Sequence, residues 1–179
     1  MNDRVMEGCT SFKSGGIYFR AFWREAGVCR LEMDMASLQA SQDETMPPDF
    51  VSTFVDRIHD SLEAGKGLCV AKLKLDLSML TGFERLAVEA LNHIPRGRVA
   101  SYSYLADFIG HSGAFRAVGS AMAKNPLPVI YPCHRVVGKD GHIKGFSAGG
   151  GLAAKRILLM NERVAMRDAL HVDMGYMLG

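Results

Sequence analysis

Residues 102–124 read YSYLADFIGHSGAFRAVGSAMAK, and this stretch decides what the second half of the chain becomes. Tyr102 to Ile109 gives one short helix, Gly110 to Gly113 a turn, and Ala114 to Lys124 a second helix. Two short helices about a glycine-containing turn outline either a plain helical hairpin or a helix-turn-helix. Just upstream the apolar period is helical as well, with Phe83, Leu86, Ala87, Ala90, Leu91 and Ile94 on one face. Thr81 and Glu84 form a capping box at the start of that helix, and Pro95 with Gly97 ends it.

On the amino-terminal side of Thr81 the pattern changes. Residues 17–25 and 28–34 read as a strand pair around Ala26-Gly27. Residues 68–75 alternate Val70, Lys72, Lys74 against Ala71, Leu73, Leu75 as a third strand. Between them, residues 47–64 place Phe50, Phe54, Ile58 and Leu62 at helical spacing. The expected fold is therefore α+β: a small amino-terminal sheet-and-helix domain over 1–78, a mainly helical domain over 79–163, and a carboxy-terminal extension, 164–179, with no readable motif.

Beyond the two short helices lies the turn-forming run Asn125-Pro126-Leu127-Pro128, and then Pro132-Cys133-His134-Arg135-Val136. A thiolate attacks carbon far better than a thiol, and a neighbouring imidazole can take its proton. Cys133 is thus a candidate nucleophile, although a free cysteine taken alone is more often a buried, inert small hydrophobe.

Composition bounds the rest. The chain has 179 residues, 48% of them hydrophobic, which suffices for a buried core. Residues 1–80 carry 9 Lys and Arg against 12 Asp and Glu, a net of −3, whereas residues 81–163 carry 11 against 5, a net of +6. A basic half joined to an acidic one suggests that the second half meets a polyanion. No signal peptide and no apolar run of membrane length is present, so no membrane partner is expected. The four cysteines, Cys9, Cys29, Cys69 and Cys133, include no CxxC pair, and a cytoplasmic location with reduced thiols follows.

The segment from Ile94 to Glu162 resembles the catalytic domain of the O6-alkylguanine-DNA alkyltransferases, also called methylated-DNA-protein-cysteine methyltransferases. The resemblance is carried, in the family's order and near its spacing, by Ile94-Pro95-Arg96-Gly97-Arg98-Val99, Ser101-Tyr102, Arg116-Ala117-Val118-Gly119, Asn125-Pro126, Pro132 to Val137, Gly145-Phe146-Ser147, and Lys155 to Glu162. It implies a winged helix-turn-helix-like catalytic domain. The expected partner is double-stranded DNA containing alkylated guanine, and a monomer is expected. The alkyl group on O6 lies at the pairing edge inside the duplex, so the nucleotide must be rotated out before a protein thiol can reach it.

The resemblance also implies roles. Arg116 inserts into the base stack, from a helix that the family presents to the minor groove. Ala114, Ala117, Gly119, Ala121 and Ala123 keep that helix small enough for close approach, and Ser101 and Lys124 join the DNA-binding set. Tyr102 donates toward the flipped guanine, Ser147 contacts O6, and Met122 and Phe146 line the pocket. The carbonyls of Cys133 and Val136 accept from the exocyclic amine, and Asn125 is a hinge between recognition helix and active turn. Cys133, His134 and Glu162 form a relay in which His134 acts through a water and Glu162 orients it. Arg135 anchors the turn or the domain interface.

Two departures from the family pattern stand out. Phe146 replaces the tyrosine of many relatives, which makes the pocket more apolar. The glycine-rich run Ser147-Ala148-Gly149-Gly150-Gly151 either bends around a bulky adduct or turns the chain into the last helix. Some family members hold a structural zinc in the amino-terminal domain, which brings Cys9, Cys29 and His59 or Cys69 into consideration. Their spacing fits no compact zinc pattern, and neither a metal nor a cofactor is expected. Nothing resembles a second thiol to regenerate Cys133, so one turnover per molecule follows. The implied function is direct repair of O6-alkylguanine, with O4-alkylthymine as a second candidate substrate. The alternative is an alkyltransferase-like protein that grips the lesion and recruits other repair factors.

Overall fold

A computed structural model describes residues 6–36 and 44–178. Strand β1 (Gly8–Ser14) turns through Gly15 and Gly16 into β2 (Ile17–Arg24), with Ser14 paired to Ile17. Both turn residues have positive φ, 57° and 81°, as a two-residue hairpin of the right twist requires. Gly27 then leads into β3 (Gly27–Asp34), which pairs antiparallel to β2. Ile17, Phe19, Ala21 and Trp23 alternate inward along β2. Helix α1 (Asp49–Leu62) covers that face through Val51, Phe54, Ile58 and Leu62.

The third strand differs from the one expected. Residues 68–75 form no strand; they contain a short 3-10 turn at Val70–Lys72 and pair with β3 through a Val28–Leu75 bridge. The reason lies along the free side of β3. The Val28 amide donates to Lys74 O at 2.9 Å, and the next available donor, Leu31 N, goes to Pro126 O at 2.8 Å. The loop preceding the active turn thus holds the place that a longer strand would need. The third strand of the sheet is β1 instead.

Helix α2 (Gly82–Ala90) begins where the capping pattern put it, with Thr81 N–H donating to Glu84 Oε2 at 2.9 Å. It buries Ala87, Val88, Ala90 and then Leu91 and Ile94, while Leu86, expected on the buried face, is exposed. The inward stripe runs through residues 83, 87, 90, 91 and 94, and Val88 rather than Leu86 completes its margin. Strand β4 (Ala100–Ser101) pairs parallel with β5 (Val136–Val137). That pairing draws helix α3 (Tyr102–Phe108) up against the Cys133 turn. After the glycine turn, α4 (Phe115–Ala123) packs across both α2 and α3, and α5 (Gly151–Asn161) closes the core behind the turn.

One hydrophobic core runs continuously from the sheet through α2 to α5. Arg96 ties the two halves, donating to Ser61 O at 3.0 Å and Asn161 O at 2.7 Å. The extension after Arg163 folds back along the catalytic half. Val164 and Val172 join Val99, Val137, Ile143 and Leu159 in a second buried cluster, and Leu178 N–H donates to Val99 O at 2.7 Å. No helix among the described residues is long and apolar enough to cross a membrane. Nor do they contain a group of three or more His, Cys, Asp and Glu placed to hold a metal.

Candidate active site

The approach to the nucleophile is fixed by a single amide. Asn125 Nδ2 donates to Tyr131 O at 2.7 Å while its Oδ1 accepts from Leu127 N at 3.1 Å, so one side chain spans the loop from the end of α4 to the active turn. Within that loop Val129 takes φ 75°, a left-handed conformation that β-branched residues avoid. Cys133, His134 and Arg135 then form one 3-10 turn, with Cys133 and His134 buried.

Glu162, at the carboxy-terminal cap of α5, meets this turn from below. Its Oε1 lies 3.0 Å from His134 Nε2, and Arg135 grips both carboxylate oxygens at 2.7 and 2.9 Å. Arg135 also donates to Ile94 O at 2.7 Å, which makes it the anchor of the turn. Burial pushes the Glu162 carboxyl upward, but His134 and Arg135 outweigh it and hold the group ionised, well below the usual carboxylate range. A carboxylate only accepts, so His134 Nε2 carries the hydrogen. Burial lowers the His134 pKa against the pull of Glu162, keeping the imidazole neutral. Its other nitrogen, Nδ1, is buried and has no hydrogen-bond partner among the described residues. The ring therefore presents a free lone pair.

Burial raises the pKa of Cys133, which disfavours thiolate at rest. The Asn125 amide, the Lys155 charge and the Cys133 and His134 N–H groups act the other way. Lys155 is fully buried and donates to Val136 O at 2.6 Å and Lys144 O at 2.9 Å; desolvation lowers its pKa to about 8. Tyr102 Oη reaches the same Lys144 carbonyl at 3.4 Å. Its pKa is raised by burial and then by Cys133, so it stays a donor.

Above Cys133 opens a cavity of about 290 Å³, lined by Tyr102, Gly119, Met122, Cys133, Phe146 and Ser147 together with two neighbouring residues. Cys133, Tyr102, Met122, Phe146 and Ser147 thus converge as the sequence suggests. Val136 does not line the cavity, and its carbonyl is taken by Lys155. Tyr102 and Gly119 also belong to a wider groove of about 740 Å³, where Arg116 stands with Lys139 and Lys144. Three residues grouped with Arg116 in the sequence lie elsewhere. Ser101 is buried, accepting the Tyr104 amide as the cap of α3; Lys124 pairs with Glu84; and Ala117 is exposed outside the groove lining. Ala121 faces the core. Gly149 presses against β3, where a Cβ would stand 1.7 Å from Met33 O, and Gly150 turns the chain into α5 with φ 83°. These glycines serve packing and the turn.

Lys155 opens one of the runs that carry the family resemblance, but no role attaches to it in sequence, and the groove lysines Lys139 and Lys144 belong to no motif. A lysine within Ala153-Ala154-Lys155-Arg156 reads as one end of a polar face; only its burial reveals it. Arg135 differs, because an arginine directly after a Cys-His pair invites the search for an acid.

A buried Cys-His-Glu set beneath a pocket, with a helix pair and basic groove beside it, is the arrangement of a cysteine nucleophile set next to a surface suited to a polyanion. Residues 82–164 match the family model of the 6-O-methylguanine DNA methyltransferase DNA-binding domain. A methylated-DNA–protein-cysteine methyltransferase of Mycobacterium bovis is 42% identical over 119 residues, 66% of this chain and 69% of that one. One from Haemophilus influenzae is 44% identical over 88 residues, which span 49% of this chain and 48% of that one. Among solved structures, Mycobacterium tuberculosis OGT in complex with DNA superposes with a TM-score of 0.73 at 32% identity, covering 87% of this chain and 92% of that one. O6-methylguanine-DNA methyltransferase of Pyrococcus kodakaraensis gives 0.67 at 26% identity over 89% and 100%. The chain belongs to the methylated-DNA–protein-cysteine methyltransferase family.

Proposed function

We propose that this protein repairs DNA by moving the alkyl group of O6-alkylguanine to Cys133, once per molecule. The observation that carries the reading is His134, aligned by Glu162 and left with an unpaired Nδ1 among the described residues, in the same turn as a thiol at the floor of a cavity. The lone pair of Nδ1 takes the thiol proton through a water. The thiolate attacks the alkyl carbon, the sulfur–carbon bond forms as the carbon–O6 bond breaks, and Tyr102 donates toward the departing guanine. The Lys155 charge and the amide of Asn125 favour the thiolate in the meantime. A thioether has no easy leaving step, so the cysteine is consumed.

The lesion reaches the cavity by base flipping, with Arg116 filling the vacated stack from the head of α4. The net +6 of residues 81–163 and the lysines beside Arg116 supply phosphate attraction. Ser147 and Phe146 would face the flipped base. The amino-terminal sheet and α1 act as support.

Intact-mass spectrometry after mixing with an O6-methylguanine duplex tests the transfer. Each chain should gain one CH2, S–H becoming S–CH3, and Cys133→Ala should gain nothing while still binding the duplex. If the wild type binds the lesion yet gains no mass, the lesion-binding alternative replaces transfer. If Cys133→Ala gains mass, another cysteine is the acceptor.

A further inference from the structure

Phe115 is the first residue of α4, 45% exposed, at the rim of the groove that holds Arg116. A single exposed apolar side chain is ordinary on a protein surface, but this one has two unusual features. It lines a concave groove of net positive charge, where Arg116, Lys139 and Lys144 outnumber the single carboxylate of Asp140. Its one recorded ring partner among the described residues is the Arg116 guanidinium, 5.4 Å from the ring centroid. Phe108, exposed to a similar degree, instead packs its ring against His93 and Tyr104. Among the described residues Phe115 has no such ring neighbour, and it is not one of the residues of either buried cluster.

Building on the base-flipping reading above, we propose that Phe115 is a second wedge, an apolar one, that enters the minor groove beside Arg116 and stacks on a base step next to the vacated position. Successive helical residues point about 100° apart, so Phe115 and Arg116 cannot occupy the same gap. Side chains such as Phe that enter the minor groove part a base step and kink the duplex. A step already parted by Phe115 holds the neighbouring nucleotide less firmly, and that nucleotide is the one to be extruded. Its partner is therefore the π-face of a base in duplex DNA, and the cations around it supply the charge complement for the flanking phosphates. The guanidinium lying beside the ring in the free protein can move off into the gap it is proposed to fill.

The test compares rates of alkyl transfer from an O6-methylguanine duplex and from O6-alkylguanine free base. In Phe115→Ala the ratio of duplex rate to free-base rate should fall about tenfold, the scale of a lost base–aromatic stack. Phe115→Trp should keep most of the duplex rate, and its indole emission should be quenched as duplex is added. The chain's single tryptophan, Trp23, is buried and gives a constant background. An unchanged ratio in Phe115→Ala, or an indole whose emission ignores the duplex, overturns the wedge. Arg116→Ala in parallel keeps the two readings apart. A fall in its ratio upholds the intercalating role of Arg116 whatever Phe115 does, whereas equal slowing on both substrates would mean that Arg116 supports the fold or the active site, and the Phe115 ratio then decides the wedge by itself.

Discussion

Glu162 has two oxygens and meets four donors from three residues: His134 Nε2 and Arg135 Nη2 on Oε1, Arg135 Nε and the Gly97 amide on Oε2, the last at 3.4 Å. Replacing it by Gln aims an amide donor at groups that are themselves donors and leaves the Arg135 guanidinium without its charge partner. Glu162→Gln should therefore slow alkylation and raise the pH at which the thiol reacts, and His134→Ala should slow it about a hundredfold, the usual scale of a lost general base. Iodoacetamide rates against pH, beside single-turnover repair, would expose an error if neither variant moved. Stability should follow the same residues. Both Glu162 and His134 have folded pKa values below their ordinary ones, so the unfolded chain binds more protons as pH falls. Their contribution is present near neutrality. It begins to fade below about 6.5 for His134 and about 4.5 for Glu162, the values set by the unfolded groups. Denaturant unfolding at a series of pH values should show Glu162→Gln losing the lower of these two slopes.

At the scale of elements, the helices were legible and the strands only partly so. α1, α2 and the α3–α4 pair carry period, caps and glycine stops that act locally. β1 carries little: of Gly8–Ser14 only Cys9 and Ser14 are buried, and the strand exists because β2 needs a partner. Residues 68–75 alternate well yet pair with β3 at a single bridge, Val28 with Leu75, because Pro126 takes the Leu31 amide further along that edge, a competition no local pattern records. In the site, the Cys-His pair announced itself, whereas Glu162, 28 residues later in sequence than His134, came only through family resemblance. The burial and role of Lys155 stayed hidden because a buried lysine and a solvated one look alike in sequence. The extension was the least readable element and proves to be packed. Val172 is fully buried against Ile143, beside the turn that carries Lys139 and Lys144. Val172→Ala should cost roughly 1–3 kcal/mol of stability, read from thermal or denaturant melts; a neutral result would mean that the extension adds nothing to the fold.

For the molecule as a whole, the loops that shape the cavity also close the sheet. Pro126 takes the amide of Leu31, and Gly149 lies flat on Met33, so the free side of β3 is hidden by the two segments that flank the reactive turn. Unpaired strand edges are templates on which other chains can add strands and aggregate. The reactive centre is thus also a guard against self-association, and any opening of its loops uncovers an adhesive border. Gly149→Ala, whose Cβ would meet a backbone oxygen it cannot displace cheaply, should lift that loop. Light scattering during slow warming should then register aggregation at a lower temperature than in the wild type, and an unchanged onset would mean that the sheet is shielded by something else. The border stays closed only for as long as these loops stay in place.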